Sequence, residues 1–128
     1  MAQRLLQIIG TAYRATLEEQ DDPVIWLTQV FHGQGADVHV LLQGNAVNYA
    51  VRGQDAAGLV FGDRKQTQPP HLEADLGRLV AAGAKVYLAE DDLAVRGIRP
   101  SELVEGITPV HAAQLPSLFR EFDQVWAW

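Results

Sequence analysis

Residues 84–98, AKVYLAEDDLAVRGI, decide the fold of this chain. The run Val86-Tyr87-Leu88 predicts a short buried strand, which follows a helix that ends at Gly83. Glu90-Asp91-Asp92 then predicts a sharp turn into a short helix, which ends at Arg96-Gly97. In open α/β sheets, ligands bind just beyond the carboxyl ends of the strands. We therefore expect any functional site to lie at this turn.

The composition is that of a folded chain. With 128 residues, we expect residues 1–128 to form a single domain. Hydrophobic residues make up 48% of the sequence, which excludes a disordered chain. The longest apolar runs are far shorter than the roughly 20 residues that span a bilayer. Because residues 1–20 also lack a signal-peptide pattern, the sequence predicts a cytoplasmic protein with no membrane partner.

Charge and cysteine content exclude several classes of function. The formal net charge is −6, and the bases are scattered except for Arg64-Lys65, which we expect in a loop. Nucleic acid is therefore not an expected partner. The sequence has no cysteine, so disulfides, thiolate metal sites, iron–sulfur clusters and cysteine nucleophiles are excluded.

Strand and helix patterns alternate along the chain. Buried strands are predicted over residues 4–9, 38–42 and 86–88. Residues 107–110 are predicted as a brief extended piece that Pro109 keeps off the sheet interior, and residues 123–128 as a closing strand. Residues 57–61 are predicted as an extra strand or a packed loop, and residues 62–68 as a polar loop; the order of segments 12–22 and 52–70 stays open. The alternation predicts an α/β fold: a three-layer, mainly parallel five-stranded sheet with helices on both faces, of flavodoxin-like type.

The first predicted helix begins at Asp22-Pro23, an N-cap followed by a first-turn proline. Its apolar face is predicted from helical spacing to be Trp26, Leu27, Val30 and Phe31. The acidic residues around its start are interpreted as a solvated loop: Glu18, Glu19, Asp21 and Asp22. A short helix follows over residues 46–51, and a longer one has the apolar stripe Leu72, Leu76, Leu79 and Val80. A last helical face comprises Leu115, Leu118, Phe119 and Phe122.

Several stretches, in order and spacing, resemble the DsrE/DsrF-like family of small sulfur-relay proteins. The first strand with its Gly-Thr end and the second strand with its Gly-containing turn are residues 6–11 and 38–50. The most specific stretch is 83–106, with Val86-Tyr87-Leu88, Arg96-Gly97-Ile98 and the run LVEG at 103–106. The resemblance covers nearly the whole chain except residues 13–21 and 52–68, and it implies a DsrE-like fold.

The chain departs from this family at its reactive position. Active members carry a persulfide-bearing cysteine eight residues before the Arg-Gly glycine, where this sequence has Ala89. A second cysteine of some relatives falls at Asp92. The resemblance therefore implies a protein that carries no persulfide itself and needs no cofactor. It implies instead a subunit that self-associates, as a trimer or hexamer, or that joins a cysteine-bearing relative.

The same strand ends supply a candidate pocket for a small anionic ligand. Backbone N–H groups at Gly10-Thr11, after the first strand, can converge on an anion, although a tight turn explains these residues equally well. Arg96 either adds a cation to this pocket or pairs with a neighbouring group. The candidate ligand-binding residues are Gly10, Thr11, Gly44, Asn45, Ala89, Asp91, Asp92 and Arg96.

The acidic run at residues 90–92 has two interpretations. Asp91 or Asp92 caps the following helix, and Asp92 pairs with Arg96 at i, i+4. Alternatively, the run with Glu90 binds a divalent cation in a hydrolase. We favour the cap and predict no metal site, because the first two strands end without an acid. No catalytic residue is predicted.

Trp126 and Trp128 share one face of the last strand, opposite Val125 and Ala127. Such residues belong either to the core or to a subunit interface, where aromatic side chains are enriched. The family resemblance favours the interface. The leading hypothesis is therefore a non-catalytic oligomer subunit, with the ligand-binding module and the hydrolase as alternatives.

Overall fold

Seven strands and four α-helices are present in the computed structural model, which describes residues 3–13, 22–55 and 57–128. The strands are β1 (Arg4–Ile9), β2 (Asp37–Leu42), β3 (Val60–Phe61), β4 (Arg64–Lys65), β5 (Val86–Ala89), β6 (Thr108–Val110) and β7 (Gln124–Ala127). The α-helices are α1 (Pro23–Gly33), α2 (Leu72–Ala81), α3 (Asp91–Val95) and α4 (Leu115–Phe119). Short 3-10 segments cover Gly44–Ala50, Pro100–Glu102 and Ala112–Gln114.

The central sheet has five strands in the order β6-β5-β2-β1-β7, and all four neighbouring pairs are parallel. Leu6 of β1 pairs with His39 of β2 on one side and with Val125 of β7 on the other. Parallel neighbours need crossover connections, which the helices between the strands provide. The predicted fold class is confirmed.

The larger core lies on the face of the sheet covered by α1, α2, α3 and the 3-10 segment Gly44–Ala50. We call this the first face. Alternate residues of each strand point to it, because side chains in a strand alternate between faces. The strand residues buried there are Ile9, Val40, Leu42, Val86 and Leu88. Leu76 and Leu79 of α2 pack on them, so most of the predicted stripe of that helix is buried as expected.

The second face is covered by α4 and the turn after it. Its buried cluster is smaller and comprises Leu6, Ile8, Leu41, Val110, Leu118 and Phe122. Pro116 lies in the first turn of α4, the position in a helix where proline is tolerated. The sheet is therefore covered by helices on both faces, as predicted, with much thicker cover on the first face.

The apolar stripe predicted for α1 is present, but it is not the side of the helix that packs on the core. The helix buries Val24, Ile25 and Thr28, while Trp26 remains 52% exposed. Thr28 belongs to the buried face because its hydroxyl accepts a hydrogen bond from Nε2 of Gln7 at 2.7 Å and donates to the Val24 carbonyl. Helical spacing indicates that an apolar stripe exists. Which of two stripes is buried depends on the polar groups that the sheet presents.

Asp22 is fully buried, so the prediction that it belongs to a solvated loop is wrong. It is the N-cap of α1, as predicted, and its Oδ1 accepts from the backbone N–H groups of Val24 and Ile25 at 2.9 and 3.3 Å. Glu18, Glu19 and Asp21 lie outside the described residues.

A small antiparallel hairpin replaces the polar loop predicted over residues 62–68. β3 and β4 pair through Val60 with Lys65 and Phe61 with Arg64. The expectation that Arg64-Lys65 lies in a loop is therefore wrong. Phe61 is 70% exposed, so this hairpin does not contribute to either core. None of the described helices has the length and apolar character to cross a membrane.

Candidate functional site at the carboxyl ends of the strands

The carboxyl ends of β1, β2 and β5 bring the predicted turns together. Gln43, just after β2, donates its backbone N–H to the carbonyl of Ile9 at 3.0 Å. Gly44 follows with φ +56°, and a Cβ there would lie 3.2 Å from the carbonyl oxygen of Gly10. Glycine is therefore required here by both conformation and close approach. Gly10 and Gly44 are adjacent, as predicted.

Asp92 joins α3 to this turn. Its Oδ2 accepts the backbone N–H of Gly44 at 2.7 Å. The residue before α3, Glu90, has helical backbone angles, and no side chain caps the helix. The interpretation of Asp91 or Asp92 as a helix cap is therefore wrong. Asp92 is a long-range acceptor, because α3 starts directly from β5 and its first turn faces the neighbouring strand end.

Arg96 joins the same two elements from the other end of α3. Its guanidinium donates to the backbone carbonyl of Asp92 at 3.1 Å and to Oδ1 of Asn45 at 2.9 Å. The predicted i, i+4 relation between Asp92 and Arg96 is thus made through the Asp92 backbone. Gly44, Asn45, Asp92 and Arg96 form one connected group, which we call the strand-end clamp.

Ala89 does not share this group. It is the last residue of β5, pairs with Val110 of β6 and is 7% exposed. Since Leu88 belongs to the core of the first face, strand alternation directs the Ala89 methyl group towards the second face. A side chain at this position has little access to solvent.

Asp91 and Glu90 contact a histidine that the sequence did not indicate as a site residue. His111 follows β6, and its Nε2 lies 3.1 Å from Oε2 of Glu90, with Nδ1 3.6 Å from Oδ1 of Asp91. Asp91 Oδ2 also accepts the backbone N–H of Ala112 at 2.9 Å. The position of His111 directly after a strand of the sheet is the signal that could have found it. Across the described ranges, no group of three or more His, Asp or Glu side chains is placed to hold a metal ion.

A second set of residues missed by the sequence analysis lies beyond Thr11, which is itself exposed. The buried hydroxyl of Tyr49 donates to Oδ2 of Asp22 at 2.6 Å and accepts the backbone N–H of Tyr13. The two tyrosine rings meet edge to face with centroids 5.3 Å apart. Partial burial raises the pKa of Tyr13, whose hydroxyl donates to Gln54 at 2.8 Å. These contacts fix the chain after β1 against the 3-10 segment.

The clamp has the chemistry of a structural joint. Asp92 already accepts the Gly44 N–H, which an anionic ligand would need, and Asp91 and Glu90 add negative charge nearby. Arg96, the cation of the predicted pocket, donates to Asn45 and to backbone. The ligand-binding prediction therefore gains no support from these contacts.

Trp126 and Trp128 lie on the first face at the edge of the sheet. The Trp126 ring meets Phe31 of α1 edge to face, with centroids 6.4 Å apart, and remains 39% exposed. Trp128 donates its indole N–H to Oε1 of Gln7 at 2.8 Å. Both side chains are anchored on one side and open on the other.

Comparisons with known proteins identify the fold. Neither a family model nor a curated protein matches the sequence. Among solved structures, the ychN protein from E. coli has 19% identity and a TM-score of 0.74, covering 98% of this chain and 99% of its own. MTH1491 from Methanobacterium thermoautotrophicum, a protein of unknown function, has 12% identity and a TM-score of 0.66 over 97% and 98%.

BT1422 from Bacteroides thetaiotaomicron, a conserved protein of unknown function, has 16% identity and a TM-score of 0.64 over 97% of this chain and 94% of that one. Each of the three is similar along almost its entire length, so the likeness concerns the whole arrangement of strands and helices. At these identities the likeness shows the fold and leaves activity open. The chain thus has the mainly parallel α/β fold of these small proteins.

Proposed function

We propose that this chain is a non-catalytic protein of the DsrE/DsrF-like kind, a structural or regulatory subunit of an oligomer related to intracellular sulfur relay. The observation that carries the proposal is Ala89, which occupies the family's persulfide position in a sequence without cysteine. An alanine methyl group has no nucleophilic atom, so sulfur carriage through this chain's own side chains is excluded.

The strand-end clamp supports a structural role for the same region. Asp92 falls at the position of the second family cysteine, and here its carboxylate holds the Gly44 N–H. Asp92 and Arg96 together connect α3 to the 3-10 segment after β2. These side chains lie at the strand ends, where such folds usually bind ligands, and here they hold α3 against the 3-10 segment.

Exposed aromatic side chains support assembly. Trp126 and Trp128 are both more than one third exposed at the sheet edge, beside Phe31 of α1. Tryptophan is among the residues most enriched at binding hot spots. The expected assemblies are a homo-oligomer, trimer or hexamer, or a complex with a cysteine-bearing relative.

The test is the mass of the purified chain in solution. Size exclusion with light scattering, run over a range of concentrations, should give a multiple of the 14.1 kDa chain mass. A mixture with a cysteine-bearing protein of this fold, examined by native mass spectrometry, covers the hetero-oligomer. A strict monomer that also ignores such a relative would refute the proposal.

The ligand-binding alternative stays a prediction and has its own test. Thermal shift with nucleotides and sulfur metabolites should leave the melting temperature unchanged if the clamp is purely structural. A clear stabilisation that Arg96→Ala abolishes would move the assignment to a binding module.

A further inference from the structure

Two neighbouring apolar features of the chain are not covered by the side chains of residues 3–13, 22–55 and 57–128. One is the outer stripe of α1, in which Trp26 and Val30 are exposed and Leu27 and Phe31 are partly buried. The other is β7, whose four residues are all exposed. Phe31 contacts Trp126, so the stripe and the strand are adjacent.

β7 also has an open backbone edge. It pairs only with β1 in the five-stranded sheet of the described residues. Trp128 donates its N–H to Ile8 and accepts from Gly10, so its backbone points to β1. Since backbone groups alternate sides along a strand, Val125 and Ala127 direct their N–H and C=O groups to the open edge.

The other edge of the sheet is protected in a way that β7 is not. β6 contains Pro109, which has no N–H to offer to a further strand. Proteins block edges with proline, lysine or other charges, because a free edge pairs with other chains. β7 reads Gln-Val-Trp-Ala and has none of these, although it is apolar and its Val125 is 39% exposed.

We propose that β7 pairs antiparallel with β7 of a second copy of this chain, across a two-fold axis at Trp126, so that the two sheets become one. The inference rests on the proposed function and names its contact. A two-fold contact is self-complementary, since each copy contributes the same patch.

The register follows from the backbone directions. Val125 faces Ala127 of the second copy, and each such pair exchanges two backbone hydrogen bonds. Trp126 then lies opposite its own symmetry mate in a non-hydrogen-bonded pair, where the side chains are closest. Aromatic pairs across strands are among the most stabilising.

Charge and helix position favour a second copy as the occupant. β7 and the α1 stripe contain no charged residue, although the chain as a whole carries −6. Self-pairing there brings no like charges together, whereas most other surfaces of an acidic chain would repel their own copies. Joining the sheets at β7 also brings the two α1 stripes towards the axis, where Trp26 and Val30 can be buried.

Disulfide trapping tests the register directly, because the chain has no cysteine of its own. In Trp126→Cys the two thiols would lie across a non-hydrogen-bonded pair, whose Cα atoms are about 4.5 Å apart and within the range that a disulfide spans. We expect rapid formation of a covalent dimer under mild oxidation. Phe61→Cys, on the exposed hairpin, is the matched control and should cross-link much more slowly.

Val125→Lys tests the contact without removing a tryptophan. A lysine on an edge strand blocks pairing and places like charges near the axis. We expect the Kd of the dimer to rise about tenfold or more relative to wild type, the loss of affinity typical of an interface hot spot. Val95→Lys, at an exposed apolar residue of α3 away from β7, should leave the mass unchanged.

The outcomes separate this inference from the proposed function. A wild-type oligomer that Val125→Lys does not weaken, with no preference for Trp126→Cys trapping, overturns the β7 contact and leaves the proposed function standing. The same holds if Val60→Lys on the hairpin breaks the oligomer instead. A chain that assembles only with a cysteine-bearing relative also overturns the contact, while a strict monomer that ignores such a relative as well overturns both.

Discussion

The two faces of the sheet differ in how completely they are covered. On the first face, α1, α2, α3 and a 3-10 segment bury a large apolar cluster together with the polar pair Asp22 and Tyr49. On the second face, α4 and Phe122 cover a smaller cluster, and charged groups lie at its margin. Because apolar burial is the main stabilising contribution to a fold, we expect the first face to contribute more to stability than the second.

The margin of the second face contains a network at the amino ends of the strands. Arg4 lies over the Phe122 ring at 4.8 Å and pairs with Asp37 at 3.1 Å. His39 is buried, with Nε2 2.6 Å from Asp37 and Nδ1 accepting the backbone N–H of Lys85 at 2.9 Å. The buried His39 ring therefore has a structural role, since it accepts the Lys85 N–H and contacts Asp37.

Leu76→Ala and Leu118→Ala compare the two cores directly. Leu76 is fully buried on the first face, and we expect its truncation to cost about 4 kcal/mol, towards the upper end for such a cavity. Leu118 lies under the thin cover of the second face, which can collapse, so we expect about 2 kcal/mol. Denaturant unfolding measures both values. Equal losses would remove the contrast.

Tyr49→Phe tests the buried polar pair of the first face. The change removes the hydroxyl that donates to the buried Asp22 carboxylate and accepts the Tyr13 N–H. We expect the free energy of unfolding to fall by about 2 kcal/mol. The control is Tyr13→Phe, which removes the exposed hydroxyl contact with Gln54 and should cost less than about 0.5 kcal/mol. A silent Tyr49→Phe would contradict the structural role of the pair.

Asp92→Ala tests whether the strand-end clamp is stabilising. Loss of the acceptor of the Gly44 N–H should destabilise the fold by about 1 kcal/mol. Asp91→Ala is matched, since it also removes an acid from the first turn of α3, but the contacts of Asp91 with the Ala112 N–H and with His111 are exposed. Thermal unfolding of the two variants should therefore differ. If Asp92→Ala were as stable as Asp91→Ala, the carboxylate would be free for another role.

Asp37→Asn tests the margin of the second face through its pH dependence. The hydrogen bond from His39, with the nearby charge of Arg4, lowers the pKa of Asp37 below 3.8. A lowered pKa stabilises the fold at pH values above the unfolded pKa, and this stabilisation is lost as the pH falls through the folded pKa. Because the Asp37 side chain is half-exposed, its substitution should lower the free energy of unfolding by at most about 1 kcal/mol at neutral pH. Unfolding curves of variant and wild type should converge as the pH falls through the lowered pKa of Asp37; a constant difference would contradict this.

Local patterns in the sequence were sufficient for the elements and their order. β1, β2 and β5 are predicted within a residue or two of their bounds because each is a run of buried residues ended by glycine or acid. The buried stripe Leu72, Leu76 and Leu79 was also predicted, since α2 has a single apolar stripe and no choice of face. Pairing of all five strands in one parallel sheet followed from the alternation of strand and helix.

The sequence places Gly44 and Asp92 at neighbouring strand ends, but it does not predict the contact between them. Gly44 and Asp92 were both named, yet their hydrogen bond spans 48 residues of sequence, and local capping rules do not include such partners. His111 was not named for the same reason, because its carboxylate partners come from another strand end. Asp22 was identified as a cap, whereas its burial came from Tyr49, which local spacing does not bring near it.

Local sequence is sufficient for the α/β class, the lack of any thiol chemistry, the Asp22 cap of α1 and the glycines after α2 and α3, because these depend on neighbours within a turn or two of chain. Long-range packing sets two other features: α1 buries Thr28 and exposes Trp26, and β7 lies at an edge that no described strand covers. A side chain is buried only when a second surface packs against it. A side chain's polarity is local, but what covers it is set by elements far away in the chain.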